Sequence, residues 1–273
     1  MKIINEALDL ELKEAFSIVR IRLNANDQPS HEDLNDSVIT EHHLSCYINE
    51  QLAFKLVCTP EKLDALILGY LFSEGYIDHL DDIDFIYICK SGERVKVQLN
   101  KIISLNSLDH DTTSASISCG NNKKIRQAAQ ITTLKSLPAH PCSEETIFKL
   151  ANSCNRNAAL FNETGGTHCA ALSVDDNEIL VCEDIGRHNA VDKTIGMALT
   201  DNQDFSHAVL FTTGRIPSDM VIKAIRCGIP VIASHSAPTN AAIELARQFN
   251  LTLIGFVRGK RLNIYAGALG KPI

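Results

Sequence analysis

Several features are missing from this 273-residue sequence, and each absence excludes a class of protein. No run of about 18 apolar residues occurs, so we expect no membrane-spanning helix. Residues 1–6 (MKIINE) contain no apolar signal region, which favours a cytoplasmic protein. The nine cysteines include no Cys-x-x-Cys pair, which argues against a zinc ribbon or a thioredoxin-type site. Because their number is odd and no export signal is present, we expect reduced thiols rather than disulfides.

The signatures of common nucleotide enzymes are also missing. The sequence has neither a Walker-type phosphate loop nor the Gly-x-Gly-x-x-Gly motif of dinucleotide-binding proteins. Pro141-Cys142 is followed by Ser-Glu-Glu, without the second cysteine that a zinc deaminase requires. We therefore expect no bound metal.

Charge is distributed unevenly along the chain. From His207 to Ile273 there are eight Lys and Arg residues against two carboxylates, a balance of +6. Since the net charge is −7, residues 1–206 carry −13. A basic end on an acidic protein suits a compact anionic ligand better than a nucleic acid, and scattered solvated charges are the alternative.

Hydrophobic periodicity predicts two structural units joined by a loop. Residues 1–108 are predicted to form a small α+β domain, with a strand near Phe16–Leu23 and a helix over Lys62–Phe72 that Thr59 caps. Residues 109–122 are poor in apolar side chains and are predicted to be a mobile loop. Residues 123–273 alternate strands and helices from about Leu160 onward, which predicts a three-layer α/β domain.

Glycines and polar side chains follow several of the predicted strands. Glycine lets a ligand approach the backbone N–H groups, and the helix N-termini that come next favour anions. Four such turns at one sheet edge indicate a phosphate-bearing ligand, although any single one is typical of an ordinary turn. The candidate pocket residues are Gly166, His168, Arg187, His188, Asn189, Gly214 and Arg215.

One cysteine and one basic segment stand out. Cys119 lies in the predicted loop, just before a helical run that begins with Lys123, Lys124 and Arg126. A helix N-terminus and nearby cations lower a thiol pKa, so this cysteine is a candidate nucleophile, and an incidental loop cysteine is the alternative. Phe256–Arg261 is predicted to be a strand end and a basic turn. Its cations could bind a pyrophosphate or could simply be exposed to solvent, and the sequence favours neither.

Longer runs of the sequence resemble the FdhD family of formate dehydrogenase accessory proteins. The similar segments are ILGYLFSEGYI (67–77), TGGTHCAAL (164–172), EDIGRHNAVDK (183–193), GRIPSDMVIKA (214–224), GIPVIASHSAPT (228–239) and GFVRGKRLNIYA (255–266). The resemblance implies a cytoplasmic sulfur carrier and a homodimer. It also implies a C-terminal cytidine-deaminase-like α/β domain without zinc, beside the smaller N-terminal α+β domain.

The resemblance further implies a substrate, partners and site residues. Sulfur would pass from a cysteine desulfurase to a persulfide on Cys119, then to the molybdenum bis(molybdopterin guanine dinucleotide) cofactor of formate dehydrogenase. The cofactor-binding residues would be Phe256, Val257, Arg258, Gly259, Lys260 and Arg261.

The loop departs from the family pattern, and this leaves alternatives open. The family's loop reads Cys-Gly-x-Cys-Gly, whereas this chain has Cys119-Gly120 and no second cysteine. A persulfide carrier needs one nucleophilic sulfur, so the loss is compatible with sulfur transfer. A cofactor-binding chaperone without sulfur chemistry is the first alternative, and a nucleotide hydrolase that uses His168 or His188 is the second.

Overall fold

The computed structural model describes residues 1–101, 131–175 and 178–270. Two 3₁₀ turns, Leu80–Asp82 and Phe205–His207, precede strands. The strands of these residues are β1 (Lys2–Asn5), β2 (Lys13–Leu23), β3 (Pro29–Ile39), β4 (His42–Ile48), β5 (Gln51–Cys58), β6 (Ile83–Ile88), β7 (Arg94–Leu99), β8 (His168–Val174), β9 (Leu180–Asp184), β10 (Ala208–Thr212), β11 (Val231–Ser234), β12 (Thr252–Arg258) and β13 (Arg261–Ala266). The helices are α1 (Leu63–Ser73), α2 (Glu144–Asn157), α3 (Ala159–Thr164), α4 (Arg187–Thr200), α5 (Ser218–Arg226) and α6 (Asn240–Gln248).

The first sheet has the strand order β1-β6-β7-β4-β5. Alternate side chains of its strands, such as Leu44, Cys46 and Val95, point to one face and form a core with α1. Helix α1 is apolar on nearly every side, and a helix of that composition is stable only when it is buried. It is covered by this sheet on one side and by α4 on the other.

Strands β2 and β3 form a separate two-stranded antiparallel ribbon. Eleven residue pairs, from Lys13↔Ile39 to Leu23↔Pro29, keep one continuous register. No residue of either strand is buried. The ribbon contacts the body at its base, where Lys13 pairs with Glu163 and Ile39 packs beneath Gly166.

The third sheet has the strand order β13-β12-β11-β10-β8-β9. Strands β10, β11 and β12 are parallel, and the remaining neighbours are antiparallel. Successive residues point to opposite faces, so Ala170 and Leu172 join the core under α4 and α5 while Cys169 and Ala171 face α2. The predicted three-layer α/β fold is confirmed.

Helices α1 and α4 cross closely and join the two units. At Gly69 and Gly196 the helices approach so closely that an added β-carbon at Gly196 would lie 2.6 Å from the carbonyl carbon of Ala65. Beside the crossing, the buried Lys223 ammonium binds Asp192 at 3.0 Å and Glu74 at 2.9 Å. Small residues therefore set the helix spacing, and a buried ion network fixes the orientation.

Some local predictions hold and others are wrong. The strands and helices predicted from residue 168 onward are confirmed to within about two residues, but β1 and β3 were not predicted. Thr59 is not the cap of α1: the helix begins at Leu63, after Lys62 in a left-handed conformation with φ 51°. The loop 109–122 with Cys119 lies outside the described residues, so the domain boundaries there stay predictions.

Candidate functional site

Five strand termini meet at one edge of the six-stranded sheet. His168 at the start of β8 pairs with Asp184 at the end of β9. Thr212 at the end of β10 pairs with Ser234 at the end of β11, and β12 runs parallel to them and ends at Arg258. Ligands of open α/β sheets bind outside the carboxyl ends of the strands, so this edge is the candidate site.

The buried carboxylate of Asp184 holds the turn between β9 and α4. Its Oδ1 accepts hydrogen bonds from the Gly186 N–H and the Asn189 side-chain amide, both at 2.9 Å. Its Oδ2 accepts from the Thr59 N–H at 3.1 Å and pairs with Lys193 Nζ at 2.8 Å. A buried charge of this kind is stable only when its oxygens are bonded, as they are here. The turn is therefore rigid and tied to the first unit.

Lys193 completes this support from inside α4. Its side chain is 1% exposed, and Nζ also donates to the Thr59 carbonyl at 3.0 Å and the Glu183 carbonyl at 3.3 Å. The ammonium therefore has three oxygen partners and no access to a ligand. The second hydrogen bond of the Asn189 amide, to Val57 O at 2.8 Å, ties the same turn to β5.

Glu183 fixes the adjacent segment. Its carboxylate accepts from the Leu160 and Phe161 N–H groups at the start of α3 and from the Thr167 hydroxyl, at 2.8–2.9 Å. Negative charge at a helix N-terminus is favourable, and these bonds hold the turn that leads to His168. Glu183 and Asp184, the first two residues of the EDIGRHNAVDK segment, thus support the turns of the site and do not face a ligand.

His168 is a half-buried imidazole at the mouth of the site. Its Nδ1 lies 3.4 Å from the Thr213 hydroxyl, which also accepts the Cys169 N–H. Burial lowers the pKa of His168, and the neighbouring Arg187 and His188 lower it further. The imidazole is therefore neutral at pH 7 and can accept a proton.

The first turn of α4 brings Arg187 and His188 to the same place. Gly214 leaves room for Arg187, because an added β-carbon there would lie 2.7 Å from the Arg187 side chain. Arg187 Nε is buried without a hydrogen-bond partner in the described residues. His188 Nε2 lies 3.3 Å from Asp219 Oδ1, which is ion-pair distance without hydrogen-bond geometry. An arginine and a helix N-terminus together suit a phosphate oxygen.

The second section of the edge is the turn between β12 and β13. Phe256 has the left-handed φ of 52°, unusual for a bulky residue, and its N–H donates to Ser236 O at 3.1 Å. Arg258 lies 5.7 Å from the Phe256 ring, and its Nε donates to the His235 carbonyl at 3.2 Å. Gly259 forms the tight turn with φ 59°. The segment therefore presents an aromatic ring and a cation together.

Two of the basic residues counted in the C-terminal segment 207–273 pair with carboxylates of this chain and are not free to bind an anion. Lys223 is bound to Asp192 and Glu74, and Arg226 lies 3.5 Å from Asp78. The exposed cations of residues 207–270 include Arg215, Arg258, Lys260 and Arg261. The last three lie in the β12–β13 turn, so it carries most of the unpaired positive charge at the edge.

A family comparison agrees with the motifs along this edge. A model of the FdhD/NarQ family matches residues 39–269, well over half of the chain. The chain belongs to the FdhD/NarQ family. The match includes every candidate residue of the edge and begins at the last residue of β3.

Curated relatives of this FdhD/NarQ chain are named sulfur carrier protein FdhD. One from Listeria monocytogenes serotype 4b is 36% identical over 239 residues, covering 86% of this chain and 92% of its own. One from Bacillus subtilis is 33% identical over 233 residues, covering 85% and 89%. One from Sulfurisphaera tokodaii is 37% identical over 224 residues, covering 81% and 85%.

A solved structure shares the fold. A crystal structure from Desulfotalea psychrophila, described as a formate dehydrogenase accessory protein, matches with a TM-score of 0.73. It is 24% identical, and the match covers 93% of this chain and 97% of that one. In the part of the chain that the structure describes, no helix has the length and apolarity to cross a membrane.

The structure brings together most of the residues singled out in the sequence. His168, Arg187, His188 and Gly214 lie in one group, and the β12–β13 turn lies further along the same edge. Asp219 and His235 were not singled out as site residues, although both lie in quoted motifs just after a strand of this sheet. The binding roles of all these residues stay predictions.

Proposed function

We propose that this chain is a sulfur carrier for formate dehydrogenase maturation. It accepts sulfur from a cysteine desulfurase as a persulfide on Cys119 and transfers it to the molybdenum bis(molybdopterin guanine dinucleotide) cofactor, which is its substrate. The observation that carries the proposal is the family match over residues 39–269, which includes Cys119 and Phe256–Arg261. Relatives named as sulfur carriers over the same span support it.

The accepting step needs one thiolate and no oxidant. The Cys119 thiolate attacks the terminal sulfur of the donor's cysteine persulfide and forms a new S–S bond. The donor's S–S bond breaks, and its cysteine leaves as a thiolate. A second loop cysteine would be needed only to resolve the persulfide as a disulfide, so the single-cysteine loop is compatible with carriage.

The charge and shape of the sheet edge suit the nucleotide end of the cofactor. A pyrophosphate can bind Arg258, Lys260 and Arg261, and a planar base can stack on Phe256. Arg187 and the N-terminus of α4 provide a second position for an anion. The turn between β9 and α4 is held by the buried Asp184–Lys193 pair, so little ordering is needed there on binding.

We expect Cys119→Ala to lose sulfur transfer completely. The measurement is transfer of labelled sulfur from cysteine through a desulfurase to the purified chain, read by mass spectrometry as a gain of one sulfur atom. Cys89→Ala is the matched control, because Cys89 is the one thiol that is not buried among the described residues.

Cys89 is a demanding control because its thiol is also activated. Burial would raise the pKa of Cys89, but the Ser91 hydroxyl and the nearby backbone N–H groups outweigh it, and the pKa is lowered. Undiminished label on Cys119→Ala, or loss of label on Cys89→Ala alone, contradicts the assignment. Full formate dehydrogenase maturation by Cys119→Ala would favour the chaperone, which the missing second cysteine also favours.

We expect Arg258→Ala to weaken binding of guanosine diphosphate at least about tenfold, because a charged hydrogen bond contributes about 1.5–3 kcal/mol and each 1.4 kcal/mol is a factor of ten. Isothermal titration calorimetry measures the change. Arg247→Ala is the control, because Arg247 lies in the last turn of α6, opposite the ligand edge, and donates to Tyr265 O. An equal loss of affinity in both variants would mean that only the net charge of the protein matters, and not the position of Arg258. Turnover of the nucleotide without a sulfur donor would favour the nucleotide hydrolase.

The desulfurase, the cofactor, the client dehydrogenase, the cytoplasmic location and the homodimer stay predictions from the family resemblance. Binding of guanosine diphosphate tests the cofactor site separately from sulfur transfer, because the nucleotide carries no sulfur. A chain that binds the nucleotide but takes no label from the desulfurase would keep the site and lose the carrier function.

A further inference from the structure

A polar pocket lies on the outer face of the first sheet, on the side away from α1. Its volume is about 360 Å³, toward the lower end of the range of small-molecule sites. Successive residues of a strand point to opposite faces, so Cys46, Ile88 and Val95 join the core while their neighbours point outward. None of the pocket residues belongs to the ligand edge of the other sheet. The six residues that line the pocket are Ser45, Tyr47, Cys89, Ser91, Glu93 and Arg94.

Strand pairing places a hydroxyl, a guanidinium and a thiol in one row across this face. Arg94 of β7 pairs with Ser45 of β4, and the Cys89 N–H donates to the Arg94 carbonyl at 3.1 Å. Neighbouring strands lie about 4.7–4.9 Å apart, so one small ligand can reach all three side chains. The Ser45 N–H also donates to the Glu93 carbonyl at 2.7 Å, which ties the β6–β7 turn to β4. The pocket is therefore part of the sheet and is held by its backbone hydrogen bonds.

The thiol of Cys89 is the nucleophile of the pocket. It is partly exposed, whereas the other cysteines in the part of the chain that the structure describes are buried. Its Sγ lies 3.4 Å from the Ser91 hydroxyl. Although burial alone would raise the pKa of Cys89, the Ser91 hydroxyl and the backbone N–H groups of the turn lower it. An accessible thiol with these neighbours reacts with disulfides as the thiolate.

Arg94 and Glu93 provide one charge of each sign beside the thiol. The Arg94 guanidinium lies 5.4 Å from the Tyr47 ring and has no ion pair among the described residues. Glu93 accepts a hydrogen bond from the Ser91 hydroxyl at 3.3 Å. A guanidinium binds a carboxylate through two parallel hydrogen bonds, and a carboxylate binds an ammonium. Amino acids and small peptides carry both of these groups, so the pocket suits a ligand of that class.

We propose that Cys89 is a modification site, which forms a mixed disulfide with a low-molecular-weight thiol that carries an α-amino and an α-carboxyl group. Free cysteine and small cysteine-containing peptides belong to this class. Arg94 binds the carboxylate of the incoming molecule and Glu93 binds its ammonium. The inference does not depend on sulfur transfer, because Cys89 is not the proposed carrier.

The reaction is an exchange in which the disulfide form of the small thiol is the oxidant. The Cys89 thiolate attacks one sulfur of that disulfide, and an S–S bond to Cys89 forms while the original S–S bond breaks. The other half leaves as a thiolate and takes a proton from water. The Cys89 sulfur is oxidised and the departing sulfur is reduced. An excess of the free thiol reverses the reaction, so the modified fraction follows the ratio of disulfide to thiol.

Three small disulfides with different charged groups test the pocket. Cystine carries amino and carboxyl groups, dithiodipropionate carries only the carboxyl groups, and cystamine carries only the amino groups. Mass spectrometry of the full chain over time gives each rate, and peptide mapping separates Cys89 from the other thiols, including Cys119. Each rate is divided by the rate at Cys89 in the urea-unfolded chain, which removes the intrinsic reactivity of the reagent.

We expect cystine to modify Cys89 about tenfold faster than either of the other two disulfides on this scale, because each lacks one charged hydrogen bond. Faster modification by glutathione disulfide than by cystine would also support the proposal, with a peptide thiol as the occupant. Equal rates for all the disulfides, or no mixed disulfide at Cys89, overturn it.

Two pocket variants separate binding from the reactivity of the thiol. Arg94→Ala should slow the reaction with cystine about tenfold and should not slow the reaction with cystamine. Glu93→Gln should slow the reaction with cystine and should not slow the reaction with dithiodipropionate. Lys96→Ala is the matched control, because Lys96 lies two residues along β7, pairs with Glu50 at 3.1 Å and does not line the pocket. Equal slowing by Lys96→Ala, or an unchanged cystine rate in Arg94→Ala, overturns the proposal.

Discussion

Gly196→Ala is expected to destabilise the protein by about 3 kcal/mol, because the new methyl group meets backbone that cannot move aside. Its β-carbon would lie 2.6 Å from the carbonyl carbon of Ala65 and closer still to the oxygen. Relief requires α1 and α4 to separate, which loosens both cores at once. Thermal unfolding should show a fall in Tm of roughly 6–12 °C for a chain of this size.

The partner glycine gives an internal check. Gly69→Ala meets the Asp192 backbone in the same way and should cost a similar amount. The double variant should cost less than the sum, because one separation of the helices accommodates both methyl groups. Gly270→Ala, where an added β-carbon meets nothing within 4 Å, is the control and should change stability by less than about 0.5 kcal/mol. Full additivity would mean that the helices are not in contact at both points.

The sequence predicted the α/β part of the fold well because its signals are local. Each strand from His168 to Arg258 is a short apolar run, and each following helix has its own apolar face. Strand β3 was missed because it reads Ser-His-Glu-Asp in its first half, a composition depleted in strands. It pairs with β2 through backbone bonds, which a polar strand provides as well as an apolar one.

The support of the site could not be predicted from local patterns. Thr59 was expected to cap α1, yet its hydroxyl accepts the Ile185 N–H and its own N–H reaches Asp184, 125 residues away in the chain. Gly69 and Gly196 look unfavourable within their helices, and only the crossing of the two helices explains them. Lys223 counted toward a basic ligand site but is bound to Glu74 and Asp192. Local sequence patterns do not show which residues far apart in the chain come into contact in the fold.

Lys193→Met is expected to cost about 3–5 kcal/mol of unfolding free energy, because it leaves the fully buried Asp184 carboxylate without its cation. The remaining donors to Asp184, the N–H groups of Thr59 and Gly186 and the Asn189 amide, satisfy hydrogen bonds but not the charge. The Thr59 and Glu183 carbonyls would also lose a donor. Urea unfolding measures the loss of stability. Because the turn that Asp184 holds also positions Arg187, guanosine diphosphate binding should weaken in the same variant.

Two variants separate the buried charge from a general effect of losing lysine. Lys149→Met removes an exposed i,i+4 pair with Glu145 and should cost no more than about 0.5 kcal/mol. Adding Asp184→Asn to Lys193→Met should recover part of the stability, because the uncompensated charge is then gone while the side chain can still accept hydrogen bonds. If the double variant is less stable than Lys193→Met alone, the aspartate's own hydrogen bonds, rather than the ion pair, hold the turn between β9 and α4.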